Sequence, residues 1–174
     1  LWYREAFWNI GSGWAHNNAP TVANNSVAAP NGANTADTWS RTTTASCYHQ
    51  QAVSKAASAL PYTCSFYVKS LTAQYVSFRM QGTYPARVDM HVDMSNGIIS
   101  TAAVISGGFS APSGTLTPLA NGWYRVTMTA TTDTATTITT LFSFAETNID
   151  IDGTDSSSTV GGYIWGAQLE QATF

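Results

Sequence analysis

The chain has 174 residues, 10% of them charged and 12% aromatic, and a formal net charge of −3. Seven Lys and Arg spread over that length supply no basic stripe for a phosphate backbone, so nucleic acid is not an expected partner. The length suits one domain that buries roughly two-thirds of the surface of its unfolded chain, and a polar complement drawn from Thr, Ser, Asn and Gln favours β-sheet over helix.

The chain begins inside an aromatic, strand-like segment over residues 1–8 that carries Trp2 and Trp8 but no initiator Met, as expected of a module from a longer protein. No basic-then-apolar leader pattern follows, and no window approaches eighteen consecutive apolar residues, so a membrane is not an expected partner either. Gly11, Gly13, Pro20, Pro30 and the pair Asn31-Gly32 then give turn chemistry, and the polar tract over 17–34 is expected to wander along a sheet edge. Strand patterns follow over 36–41, 47–53, 62–69, 75–81, 87–94, 98–105, 122–131, 137–145 and 163–170. No helical period persists for ten residues. Nine or ten short strands without a fixed repeat predict an antiparallel β-sandwich or a closed barrel.

Period-two alternation separates the faces. Tyr62, Cys64, Phe66 and Val68 share one side, as do Val76, Phe78 and Met80, then Val88, Met90, Val92 and Met94, then Tyr124, Val126 and Met128; these are the expected core. Trp14, Trp39, Trp123 and Trp165 are read as core as well. Cys47 and Cys64 flank a turn near 54–61, which leaves two readings open, a disulfide across a hairpin or two small buried thiols.

The opposite faces gather hydrogen-bonding groups and rings. Tyr67, Lys69, Tyr75, Arg79, His91 and Arg125, with Gln51 beside them, form the candidate ligand-binding set. On adjacent strands they would line a groove in which rings stack on sugar C–H faces while guanidinium and amide groups reach the hydroxyls. The competing reading is a solvated sheet face with cross-strand pairs such as Arg79 with Asp89 or Asp93. The run Asp150, Asp152, Gly153, Asp155 alternates carboxylates about a glycine, either as a calcium-binding loop or as a polar turn.

Five stretches in order carry a family resemblance: residues 14–37, Gln51 with 62–69, 93–97, Asn121-Gly122-Trp123-Tyr124-Arg125, and 163–170. Together they resemble a jelly-roll module, similar to carbohydrate-binding modules, found in phage structural and tail proteins and in related environmental bacterial proteins. Two departures are Cys64, where a large apolar residue is usual, and 54–60, where a short Gly turn is commoner. The resemblance implies an all-β, single-domain jelly roll that binds a polysaccharide or cell-surface glycan without catalysis, in a virion or outside the cell. It also implies contacts with other virion subunits or neighbouring domains, and one structural calcium ion held between the N-terminal strand and a late loop, which adds Glu5 to Asp150, Asp152 and Asp155.

Two other classes remain at this stage. One is a structural virion module with no glycan ligand, using Trp2 and Trp8 as a contact. The other is a polysaccharide lyase or hydrolase, for which Tyr, His and Arg would exchange protons and neutralise a carboxylate, or Asp89 and Asp93 would act as a pair. Against it, the chain lacks the Tyr-Phe-Lys-Ala-Gly run by which jelly-roll alginate lyases resemble one another, and it has no Gly-x-Ser-x-Gly elbow.

Overall fold

The structure, a computed structural model, describes residues 14–147 and 151–171. The strand expected over 1–8, Glu5 and Asp150 lie outside the described residues. The described chain forms β1 (Ala15–Asn17), β2 (Thr21–Ala28), β3 (Asn34–Ser40), β4 (Tyr48–Ser54), β5 (Pro61–Ser70), β6 (Tyr75–Gln81), β7 (Arg87–Asp93), β8 (Ile98–Ser106), β9 (Ser110–Pro118), β10 (Tyr124–Thr131), β11 (Thr137–Ala145) and β12 (Gly161–Glu170), with a short 3-10 turn at Ala120–Gly122. They pair antiparallel in two six-stranded sheets. The first runs β1-β4-β11-β6-β7-β8 and the second β2-β3-β12-β5-β10-β9. Early strands thus pair with late ones, β4 with β11 and both β3 and β5 with β12, which makes the fold a jelly-roll β-sandwich.

The core lies between the sheets and is built from the expected inward sets. Phe66, Val68, Val126 and Met128 come from the second sheet, and Val76, Phe78, Val88, Met90, Phe142 and Phe144 from the first. Phe66 and Phe78 stack across the gap at 4.7 Å between ring centroids. Gly162 is required here, because a Cβ would fall 2.1 Å from the Phe144 ring. Trp14 and Trp39 belong to this core, whereas Trp123 is buried in a separate cluster on the outside of the second sheet.

Cys47 and Cys64 are both buried free thiols. The hairpin that would have joined them does not form, because β4 and β5 belong to opposite sheets. Burial pushes the Cys64 thiol up to about 12, which leaves it a small apolar filler rather than a nucleophile. The tract over 17–34 does run along a sheet edge, but as a strand rather than a loop, since it contains β2, an edge strand of the second sheet. β2 pairs with β3 through a bulge, and there the Asp37 carboxylate accepts the amide of Asn25, whose φ is 52°. β9, with Pro112, Gly114 and Pro118, also appears as a strand where none is expected.

His49 and Gln51 point inward, alongside Phe142 and Thr140 of β11. The indole Nε1 of Trp39 donates to His49 Nδ1 at 2.6 Å, and an indole N–H can only donate, so Nδ1 must keep its lone pair. Burial, helped by the nearby His16, lowers the His49 pKa to about 4. An unfolded histidine takes up its proton near pH 6.5, so between there and about 4 only the unfolded chain binds it and stability falls with pH. Denaturant melts should lose roughly 3 kcal/mol of His49-dependent stability over that window, and His49→Gln, which retains an acceptor for Trp39, should flatten that part of the profile. An identical pH profile in the variant would contradict the assignment.

Candidate functional site

The expected ligand-binding set does not share one wall. Tyr75, Arg79 and His91 lie on the outer face of the first sheet, Tyr67, Lys69 and Arg125 lie on the outer face of the second, and Gln51 faces the interior. The two outer faces differ in character.

On the first sheet the polar groups are used against one another. Arg79, 1% exposed, forms a two-pronged ion pair with Asp89, Nε to Oδ1 at 2.6 Å and Nη2 to Oδ2 at 2.9 Å. Its Nη1 donates to Asp152 Oδ2 at 2.6 Å, and Arg87 adds a third cationic contact to Asp89 at 3.3 Å. Burial disfavours the Arg79 charge, but the Asp89 and Asp152 carboxylates outweigh it and its pKa is raised. His91 Nδ1 lies 3.0 Å from Ser77 Oγ, both residues being buried. Asp93 accepts from the Asn96 side chain and from the amides of Ser95 and Asn96, while the Gln74 amide nitrogen donates to Tyr75 Oη. The pairing of Arg79 with Asp89, weighed as the plainer alternative, is what forms.

The segment after residue 150 lies over this face. Asp152 meets Arg79, and Asp155 accepts the amides of Glu146, Thr147 and Ser156 at 2.8–3.0 Å. Arg41 stands 3.9 Å from Asp155 and donates to Ser143 Oγ and to the carbonyls of Phe144 and Ala45. Asp152 and Asp155 therefore hold two different arginines and a loop. Among the described residues no group of three or more His, Cys, Asp or Glu is placed to hold a metal ion, and Glu5 and Asp150 of the expected calcium set lie outside those residues.

On the second sheet the outer face carries partly exposed rings. Antiparallel register places Trp165 of β12, Tyr67 of β5 and Arg125 of β10 in one row, with Tyr163 of β12 beside Lys69 of β5 in the next. Tyr67 and Trp165 meet edge to face at 5.0 Å between centroids. The guanidinium of Arg125 stands 6.0 Å from the Tyr67 ring centre and the ammonium of Lys69 5.9 Å from that of Tyr163. Trp123, 2% exposed, forms with Ala29 and Ala36 the buried part of the cluster against which Tyr67, Tyr163 and Trp165 pack. Ser65, Thr127 and Gln168 continue the face as a hydroxyl and amide row, and Thr127 hydrogen-bonds Thr115 of β9.

Gly166 shapes this platform. It lies where the β12–β5 register shifts, with φ of 59°, and a Cβ there would come 3.1 Å from the Tyr67 ring. Its bulge lets Trp165 and Gln168 both face outward while Ala167 turns into the core. Tyr163 and Trp165 are the residues that sequence reasoning missed. The alternation held the signal: Ile164 is the inward residue, so the large rings on either side of it must point out.

No family model and no curated protein matches the chain. Among solved structures, the chain is similar to TmCBM61, solved in complex with β-1,4-galactotriose, with a TM-score of 0.49 at 11% identity over 92% of this chain and 90% of that one.

The ion pairs of the first sheet make Arg79 a structural residue. Arg79→Met leaves the Asp89 carboxylate buried without its bidentate partner, so urea unfolding should show a loss of about 3–5 kcal/mol. A change under 1 kcal/mol would mean that Arg79 is not holding that face together.

Proposed function

We propose that this chain is a non-catalytic glycan-binding module and that its ligand lies on the outer face of the second sheet, against Tyr67, Tyr163 and Trp165. One observation carries the reading: three partly exposed aromatic rings on two neighbouring strands, backed by a buried tryptophan cluster and edged by hydroxyl, amide and cationic side chains. Rings at alternate positions of one strand stand about 7 Å apart, a spacing on which flat sugar faces can rest without the protein rearranging. A preformed shallow surface of this kind supports modest affinity, since desolvation of the hydroxyls consumes much of the contact energy.

The enzyme reading draws less support. Asp89, the carboxylate that a hydrolase would need as acid or nucleophile, has both oxygens engaged by Arg79 and Arg87, and Asp93 is held by Asn96 and Gln74. The family resemblance of the sequence supports a place in a virion or outside the cell, where such a module would sit beside other subunits or domains. A structural calcium ion is a separable proposal that draws on that resemblance and on residues outside the described set.

A glycan array run with and without a chelator tests both proposals. Signal for at least one polysaccharide is expected, and loss of that signal with the chelator would support the calcium proposal. Trp165→Ala and Tyr67→Ala should each weaken retention roughly tenfold or more, with the fold retained by circular dichroism. Unchanged retention in both variants would rule out this face.

A further inference from the structure

Six of the seven Lys and Arg lie within the described residues, and four of them are engaged. Arg79 and Arg87 are tied to Asp89, Arg41 to Asp155 and to carbonyl oxygens, and the Lys55 ammonium to the carbonyls of Ala56, Ser58 and Asp133. Lys69 and Arg125 are the remaining two. Among the described residues neither has an ion-pair or side-chain hydrogen-bond partner, and each holds its charged head beside a tyrosine ring. Both are on β5 or β10, on the same outer face, one on each of the two rows that contain the exposed rings. The strands of the second sheet carry two acidic residues: Glu170, opposite Thr63 and six residues along β5 from Lys69, and Asp37, which lies opposite the inward-facing Ile164 and accepts the Asn25 amide.

From this placement we infer that the glycan held by this face is anionic, bearing carboxylate or sulfate groups that meet Lys69 and Arg125 while its sugar rings lie on Tyr67, Tyr163 and Trp165. The inference rests on the glycan-binding reading above and adds the substrate class to it. Charge complementarity is the argument. An arginine fork matches a carboxylate or sulfate with two parallel bonds, and an ammonium pairs with either as a point charge. The chain as a whole carries a net charge of −3, so attraction to an anionic polymer must be local to this face rather than a property of the whole surface.

Affinity electrophoresis of the full chain through gels containing polygalacturonate, a sulfated galactan or an uncharged galactan separates the outcomes. Retention by at least one acidic polymer should exceed that by the uncharged galactan, and the polymer preferred distinguishes carboxylate from sulfate. Raising salt from about 0.1 M to about 1 M, which shortens the screening length from about 10 Å to about 3 Å, should remove most of the preference. The double variant Lys69→Met, Arg125→Met should retain acidic and uncharged polymers alike. Equal or stronger retention by the uncharged galactan, abolished by Trp165→Ala, would overturn the anionic class and leave the glycan-binding face standing. No retention by any of the three, or retention indifferent to Trp165→Ala in a variant that melts like the parent, would overturn both.

Discussion

The pairing of β5 between β12 and β10 is the constraint on which the rest depends. Because successive side chains of a strand point to opposite faces, the register that sends Phe66 and Val68 inward beside Val126 and Ile164 also sends Tyr67 and Lys69 outward beside Arg125, Trp165 and Tyr163. Core and platform are two sides of one hydrogen-bonded ladder. A slip of one residue would exchange them, and the buried area lost by exposing Phe66 and Val68 alone, of the order of 1.5–3 kcal/mol for each side chain, holds the register. The Gly166 bulge is the one place where β12 departs from strict alternation, and it departs so that Trp165 and Gln168 both stay outside.

The two outer faces show what charge does in each environment. On the first sheet Arg79 is buried against Asp89 and Asp152, which closes that face and fixes the segment after residue 150. Pairs of this kind gain little net energy, because desolvation offsets attraction, but removing one partner is expensive. On the second sheet no carboxylate among the described residues pairs with the cations, which stand beside aromatic rings instead. The same residue types therefore seal one surface and leave the other available, and only the neighbouring strands determine which.

That difference sets how much was legible in the sequence. The interior strands were readable because they pack on both sides and alternate strictly: β6 and β11 fall on the expected residues, and the inward sets from Tyr62 to Met128 all join the core. The missed strands β1, β2 and β9 are all sheet edges, where one side of the ladder is unpaired and polar residues, Pro and Gly are tolerated. The core was visible, but the division of strands between sheets was not, because alternation says which residues share a face and nothing about which strands are neighbours. For that reason alternation groups Tyr67, Lys69 and Arg125 with Tyr75, Arg79 and His91, which lie on the outer face of the other sheet. For the same reason alternation leaves Cys47 and Cys64 open between a hairpin disulfide and two small buried thiols, and the division of β4 and β5 between sheets leaves the second. Trp165 reads as core because it falls on an alternating apolar position, but Ile164 is the inward residue and Trp165 packs partly buried on the outer cluster.

The central claim is that the ligand meets the outer face of the second sheet and not that of the first. Backbone and indole NMR shifts followed during titration with a bound polysaccharide fragment test it most directly. The account predicts that the Trp165 indole signal and the amides around Tyr67, Arg125 and Gly166 move together and saturate together, while those around Arg79 and His91 stay still. Perturbations centred on β6 and β7, with the Trp165 signal unmoved, would contradict it.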